Sequence, residues 1–107
     1  MDNFLGTIGL AMRAGKIKCG AYLAARAVED GSGKLVVAAK DIGADNKRKI
    51  ENLCSQYGVP LVYHASAAEL SQSVGKKNVP VVCICDDNFA AAARKYNSYG
   101  KDGLPNG

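Results

Sequence analysis

Basic side chains and glycine are concentrated near the start of the chain, in the segment from Gly9 to Gly20. An apolar helix is predicted to end there at Gly15, and a second helix is predicted to begin just after Gly20. The first turn of a helix has unpaired N–H groups and partial positive charge, so neighbouring cations favour phosphate at that position. The segment is therefore typical of a site for a polyanion. Between Asn3 and Val28 the sequence has no acid and four cations, which are Arg13, Lys16, Lys18 and Arg26.

Two later loops also combine basic residues with turn-forming residues. The run from Lys40 to Asn46 leads into the third predicted helix, and the run from Gly75 to Pro80 leads into the last predicted strand. On the second helix, Tyr22 and Arg26 are spaced i, i+4 and lie off the apolar stripe, so we expect both to point outward, where they can stack and pair with RNA. The candidate contact residues are Arg13, Lys16, Lys18, Gly20, Ala21, Tyr22, Arg26, Lys40, Lys76, Lys77, Asn78 and Val79.

Each of these features also has a simpler interpretation. A basic run such as Lys47-Arg48-Lys49 forms a solvated helix face, because helix geometry separates consecutive side chains. Lysines at positions 76 and 77 are ordinary in an exposed loop, and Tyr22 could instead pack on the sheet edge as a partly buried aromatic residue. The prediction of a binding site therefore depends on the three basic segments meeting in space.

Catalytic chemistry has little support in the sequence. His64 is the only histidine, and no serine or cysteine is paired with it by local spacing, so we expect a structural or surface role. Asp86 and Asp87 follow a predicted strand, where helix capping explains them more simply than a metal does. The four cysteines have no C-x-x-C spacing, which disfavours zinc and a disulfide framework; they are Cys19, Cys54, Cys83 and Cys85.

Nucleotide-binding loops are also missing from the sequence. Gly31 and Gly33 precede a predicted strand rather than a helix, and neither a Walker A loop nor a dinucleotide fingerprint occurs. We therefore predict a protein that is not an enzyme and uses no cofactor or metal.

Length and composition limit the classes of protein that remain. The chain has 107 residues, 48% of them hydrophobic, and a net charge of +4 from 14 basic and 10 acidic residues. That length suits one compact domain, expected over residues 1–96, with a flexible tail over residues 97–107 that is rich in glycine and asparagine. No apolar run is long enough to cross a bilayer and the N-terminus lacks a basic start, so we expect a cytoplasmic protein without a membrane partner.

Periodicity divides the chain into alternating helices and strands. Apolar residues recur at helical spacing in five segments, and four short apolar runs between turn signals are typical of strands. Ser66 and Glu69 form a capping-box pattern before the fourth helix. The alternation predicts an α/β protein, a three-layer α-β-α sandwich with a mixed sheet of about four strands. Strand order is left open by this argument.

Four short motifs occur in order along the chain. They are Leu10-Ala-Met-Arg-Ala-Gly-Lys16, Cys19-Gly20, Lys34-Leu-Val-Val-Ala-Ala-Lys-Asp41 and Gly58-Val-Pro-Leu61. Together they resemble the ribosomal proteins of the L7Ae/L30e family, which bind kink-turn RNA, and in particular their bacterial YlxQ type. The resemblance covers about residues 3 to 95.

The resemblance implies an α-β-α sandwich that binds structured RNA through three loops at one end of the sheet. The family signature at the second helix is Gly-x-Asn-Glu-x-x-Lys, whose polar pair reads sheared G·A pairs. The matching run here is Gly20-Ala-Tyr-Leu-Ala-Ala-Arg26, which retains the glycine and the final cation and has Tyr22 and Leu23 at the polar positions. The implied function is therefore non-catalytic binding of kink-turn-like or ribosomal RNA by a ribosome-associated protein, with assembly proteins as further partners.

An alternative function follows from the same two residues. Tyr22 and Leu23 form an exposed aromatic and aliphatic pair, which is the kind of anchor that protein interfaces use. The chain could therefore be a protein-interaction module that keeps the fold and has lost kink-turn base readout.

Overall fold

The chain folds into five helices and four strands that alternate along the sequence, in a computed structural model that describes residues 2–102 and the side chains of residues 2–97. The helices are α1 (Asn3–Arg13), α2 (Ala21–Glu29), α3 (Ala44–Tyr57), α4 (Ala67–Val74) and α5 (Asp87–Asp102). The strands are β1 (Ile17–Cys19), β2 (Leu35–Ala38), β3 (Leu61–Tyr63) and β4 (Val81–Ile84). The number of helices and strands and their order along the chain agree with the predicted alternation.

The side chains predicted to cap the N-termini of α4 and α5 do so. Ser66 and Glu69 form the capping box of α4, with Ser66 Oγ accepting from the Glu69 N–H at 3.1 Å. Asp86 accepts from the Phe89 N–H at 3.0 Å and so caps α5. Helix α5 then continues to Asp102, past the predicted start of the tail at Asn97. Residues 103–107 of that predicted tail lie outside the described residues.

The sheet is mixed, with strand order β1-β4-β2-β3. Strand β4 runs antiparallel to β1 and to β2, whereas β2 and β3 are parallel. Strands β1, β2 and β3 therefore point in one direction, and their C-terminal ends lie at the same edge of the sheet as the N-terminal end of β4. We call this edge the loop edge.

Helices cover both faces of the sheet. The core on one face joins α1, α4 and α5 to residues such as Val37 and Val82, and the core on the other joins α2 and α3 to Val36 and Cys83. All four residues of β2 and of β4 are buried, as continuous apolar runs between two helical layers require. The predicted three-layer α-β-α sandwich with a four-stranded mixed sheet is thus confirmed.

Helix α2 buries a narrower stripe than its sequence predicts. Ala24, Ala27 and Val28 are buried, but Leu23 is 47% exposed although its spacing assigns it to the same stripe. Strand β1 has only three residues and lies at the edge of the sheet, so no further strand extends beneath the Leu23 side of the helix.

Close packing between α2 and the sheet requires glycine at position 33. A Cβ atom there would lie 2.6 Å from Cys83 Sγ and 3.2 Å from the carbonyl oxygen of Ala27. The Gly33 N–H also donates to that carbonyl at 2.8 Å, which fixes the turn after α2. Because the site is buried, an added methyl group must displace its neighbours.

We expect Gly33→Ala to lower the free energy of unfolding by about 2 kcal/mol, the usual cost of overpacking. In a Cys83→Ala background the same change should cost less, because the closer of the two clashing atoms is gone. Urea unfolding of the four proteins measures this coupling. Simple additivity of the two single costs would contradict the proposed clash.

His64 ties the start of α1 to the end of β3. Its ring stacks on Phe4, with centroids 4.1 Å apart, and its Nε2 lies 2.7 Å from Asp2 Oδ2. The other oxygen of Asp2 caps α1 by accepting from the N–H groups of Phe4 and Leu5. Burial acts to raise the pKa of Asp2, but the His64 contact and the two amides outweigh it, so the pKa lies below its ordinary value.

A lowered pKa means that the ionised Asp2 stabilises the fold above the ordinary carboxyl pKa, and that this stability is lost as the pH falls through the lowered value. We expect Asp2→Ala to cost about 1 kcal/mol at neutral pH, typical of a lost N-cap. The cost should shrink on acidification, which urea unfolding from about pH 6 to about pH 3 can follow.

Asp45→Ala is a suitable control, since Asp45 is an exposed acid in the first turn of α3 that does not cap the helix. Its cost should stay within about 0.5 kcal/mol. A cost for Asp2→Ala that does not vary with pH would show that the carboxylate charge is not what stabilises α1.

Candidate nucleic-acid interface

Four connections meet at the loop edge because of the sheet topology. They are the β1–α2 turn at Gly20, the β2–α3 loop from Lys40 to Gly43, the β3–α4 loop from His64 to Ser66, and the α4–β4 loop from Gly75 to Pro80. Two of them contain basic residues, and the β1–α2 turn adjoins the basic side of α2. The three segments that the sequence singles out are therefore adjacent in the fold.

Backbone hydrogen bonds hold these connections together. The Gly20 N–H donates to the Val81 carbonyl at 2.8 Å, and the Ala39 N–H donates to the Pro80 carbonyl at 2.8 Å. The Lys40 N–H donates to the Ala65 carbonyl, also at 2.8 Å. Gly20 has a φ of 93°, which a residue with a side chain rarely adopts, so glycine is needed for this turn. The loop edge is thus a continuous, preorganised surface.

The helices that begin at the loop edge differ in how their N-termini are satisfied. Asp2 and Ser66 cap α1 and α4 with side-chain oxygens. Helices α2 and α3 begin at Gly20 and Gly43, and no side chain caps either of them. Their first-turn N–H groups therefore remain available to a bound anion or to solvent.

The α4–β4 loop presents its basic residues outward. Lys76, Lys77 and Asn78 are exposed, and the charge of Lys76 acts on the Cys19 thiol, which places this loop beside the end of β1. Burial nevertheless raises the pKa of that thiol. Asn78 has a φ of 56°, a left-handed backbone conformation that asparagine tolerates better than most residues.

Val79 is a correction to the predicted contact set. Its side chain is 4% exposed and packs in the core beneath α1 and α4. Its N–H donates to Ser71 Oγ at 2.8 Å, so Val79 anchors the loop instead of presenting a side chain to a ligand. The exposed part of the α4–β4 loop therefore ends at Asn78.

Tyr22 and Arg26 point outward from α2, as predicted. The Tyr22 side chain is 69% exposed, and Arg26 Nη1 donates to the Tyr22 hydroxyl oxygen at 3.0 Å. The guanidinium carbon lies 5.9 Å from the ring centroid, a cation–π arrangement. Lys18, on β1, lines the same shallow depression as Tyr22 and Arg26. Lys18 therefore adds a second cation beside Arg26, in a depression that Asp30 also lines.

Two predicted residues lie away from this surface. Lys16 precedes β1 at the opposite edge of the sheet, where its carbonyl accepts from the Cys85 N–H at 2.8 Å. Arg13 lies on α1, across the sheet from α2, in a groove shared with Asp2 and Glu69. Arg13 and Lys16 are close to Gly20 in sequence, which suggested a single cluster. The turn at Gly15 and the length of β1 instead place both residues away from Gly20.

The basic run on α3 divides into three different environments. Lys47 Nζ lies 5.7 Å from the centroid of the Tyr63 ring, and Arg48 lies 3.7 Å from Asp45. Lys49 instead lines a groove with Tyr22 between α2 and α3. The prediction of a solvated face for all three therefore omits this groove. The signal was present, because Asn46, Lys49 and Leu53 follow one helical stripe beside Ile50.

The described residues include no group of three or more His, Cys, Asp and Glu side chains arranged to hold a metal ion. Within the same part of the chain, no helix combines the length and apolar character needed to cross a membrane.

Comparison with curated proteins finds relatives over most of the chain. RNA-binding protein YlxQ of Enterococcus faecium is 35% identical over 91 residues, which are 85% of this chain and 87% of that protein. RNA-binding protein YlxQ of Bacillus subtilis (strain 168) is 34% identical over 83 residues, 78% of this chain and 83% of that protein. Large ribosomal subunit protein eL8 of Thermoplasma volcanium is 35% identical over 83 residues, 77% of this chain and 69% of that protein.

Solved structures share the fold. A protein with unknown function from Bacillus halodurans C superposes with a TM-score of 0.86 at 26% identity, covering 90% of this chain and 97% of that one. The Giardia lamblia 15.5kD RNA binding protein superposes with a TM-score of 0.74 at 25% identity, covering 92% of this chain and 83% of that one. The sequence pattern of one family matches residues 2–93, and the chain therefore belongs to the Ribosomal protein L7Ae/L30e/S12e/Gadd45 family.

Proposed function

We propose that this protein binds structured RNA at the loop edge, without changing it covalently. The observation that carries the proposal is the position of two uncapped helix N-termini, α2 and α3, among exposed cations of three different elements. Amides of this kind near exposed lysine and arginine favour phosphate oxygens over a neutral ligand, and they do so more strongly at α2 than at α3, whose first turn contains Asp45. The residues proposed to contact RNA are Lys18, Gly20, Ala21, Tyr22, Arg26, Lys40, Lys76, Lys77 and Asn78.

The relatives support this proposal by their names. Two of the similar curated proteins are called RNA-binding, and a third is a protein of the large ribosomal subunit. The structurally similar Giardia protein is also called RNA-binding. We extend this property to the present chain, and we propose a ribosomal or kink-turn-like RNA as the ligand, with a cytoplasmic site of action.

The first turn of α2 determines how specific the binding is. Tyr22 and Leu23 are both exposed, at 69% and 47%, and stand where the family signature has a polar pair. Neither side chain offers the donor and acceptor set that distinguishes one base pair from another. Arg26 retains its charge and donates to Tyr22, so phosphate contact and stacking remain. We therefore propose that affinity for phosphate is retained and that kink-turn preference is reduced.

Titration of a kink-turn RNA and a straight duplex of equal length, from about 50 mM to about 200 mM salt, tests this proposal. We expect both affinities to fall steeply with salt, because cations of the loop edge displace counterions. We expect the kink-turn RNA to bind less than about tenfold more tightly, because Tyr22 and Leu23 replace the polar pair, and each good base contact that is lost removes about 1 to 3 kcal/mol of discrimination. Binding of neither RNA would refute the function.

Substitution of single lysines locates the interface. Lys40→Ala and Lys76→Ala should each weaken binding to both RNAs and reduce the slope of log affinity against log salt by about 1. Lys34→Ala is the matched control, because Lys34 is an exposed lysine at the opposite edge of the sheet and should leave the slope unchanged. Equal effects of all three changes would contradict an interface at the loop edge.

A second candidate function is supported by the exposure of Tyr22 and Leu23. Two adjacent exposed apolar side chains suit a contact with another protein, such as an assembly factor. If that contact were the function, Lys40→Ala and Lys76→Ala would leave partner binding almost unchanged, whereas loss of the Tyr22 ring would remove it.

A further inference from the structure

A groove of about 300 Å³ runs between α2 and α3, beginning beside their uncapped N-termini. This volume is at the lower end of the range for small-molecule pockets. We call it the α2–α3 groove. Its lining residues are Ala21, Tyr22, Ala25, Asn46, Lys49, Ile50 and Leu53.

The interior of the groove is apolar. Ile50 is 5% exposed and belongs to the core beneath α2 and α3. Ala21 and Leu53 are partly buried against the same core, so small side chains on α2 leave space above larger ones on α3. The walls therefore offer apolar contact to a flat ligand and no hydrogen-bonding group in the interior.

An aromatic ring stands at the side of the groove and is already oriented. Tyr22 is 69% exposed, yet its hydroxyl oxygen accepts from Arg26 Nη1 at 3.0 Å. This hydrogen bond joins residues one helical turn apart, which limits the rotation of the ring in the absence of a ligand. A preoriented ring loses less conformational entropy when a second aromatic group stacks on it.

The rim of the groove is polar and carries positive charge. The Asn46 amide can donate and accept at the edge of a ligand, and Lys49 supplies a cation. Lys49 is the charged residue of this lining, and no carboxylate lines the groove. Arg26 lies on the other side of Tyr22, in the neighbouring depression. An occupant with a flat apolar face and an attached anion matches this arrangement.

We propose that the α2–α3 groove binds one unpaired nucleobase of the RNA, stacked on the Tyr22 ring. In this arrangement the Asn46 amide meets the polar edge of the base and Lys49 meets the adjoining phosphate. The proposal rests on RNA binding at the loop edge. Because every base has a π face, we expect the groove to accept all four bases with little preference.

The charges favour a nucleobase over a segment of another protein. A polypeptide that inserted an apolar side chain would gain nothing from Lys49 unless it also carried an acid at that position. A nucleotide has both parts in one unit, the flat base and the phosphate attached to it. Protein binding therefore remains as one outcome of the test.

The test uses the full chain and a kink-turn RNA with a single-stranded tail, in which one unpaired nucleotide at a time is replaced by an abasic residue. Each measurement is the ratio of the dissociation constants for abasic and intact RNA. For the unaltered protein we expect a ratio of about ten at one position, a typical loss for base–aromatic stacking. For Tyr22→Ala we expect a ratio near one at that position.

Two variants keep the test specific to the groove. Tyr22→Phe retains the ring and loses only the hydroxyl that Arg26 holds, so its ratio should stay well above one. Tyr57→Ala removes another exposed tyrosine, which ends α3 and does not line the groove, and it should also retain that ratio. Circular dichroism of each variant confirms that the fold is intact.

The outcomes separate this proposal from the proposed function. A ratio near one at every unpaired position, with salt-dependent binding still present, would overturn the groove proposal and leave RNA binding intact. A ratio that persists in Tyr22→Ala would also overturn it, because the base would then bind elsewhere. Tyr22→Ala without any effect on RNA binding would likewise overturn it, and would leave the exposed Tyr22 ring available for a protein contact. Absence of salt-dependent RNA binding would refute both proposals.

Discussion

Strand β4 is the element on which the other parts of the fold depend. It pairs with β1 on one side and with β2 on the other, and its four residues are buried between two helical layers. Because it runs opposite to its neighbours, its first residues lie beside the last residues of β1 and β2. The carbonyls of Pro80 and Val81 then accept the Ala39 and Gly20 amides. The antiparallel insertion of one strand thus assembles the loop edge from distant parts of the chain.

The helix N-termini at that edge divide into two kinds for a physical reason. Helices α1 and α4 satisfy their first amides with Asp2 and Ser66, and so they contribute to stability without a ligand. Helices α2 and α3 begin at glycine, which costs only a few tenths of a kcal/mol relative to a capping side chain. The first-turn N–H groups of α2 and α3 therefore have no capping side chain, and the loss of stability is small. Exposed cations nearby favour a polyanion at these amides, in line with the proposed RNA binding.

Small side chains on α2 have a second consequence for the surface. Ala24 and Ala27 allow α2 to pack closely on β4, and Gly33 allows the chain to turn directly against Cys83. Ala21 and Ala25, on the adjoining side of the same helix, are too small to fill the space next to α3. Small residues on α2 thus permit tight packing on the sheet and also leave a groove between α2 and α3, with Tyr22 at its side.

Much of the fold could be read from local patterns in the chain. Helical spacing, the Ser66 capping box and the apolar run of β2 depend on neighbouring residues, so their identity and approximate limits follow from short-range chemistry. The outward direction of Tyr22 and Arg26 follows from the same periodicity.

Strand order cannot be predicted from local patterns, since β1 and β3 have three residues each and contain too little pattern to specify their partners. The separation of Arg13 and Lys16 from the loop edge, the burial of Val79 and the groove beside Lys49 all depend on how distant elements pack. Residue types and local periodicity thus determined the elements and their chemistry, whereas long-range strand pairing and helix packing decided which side chains meet, because those contacts join residues far apart in the chain.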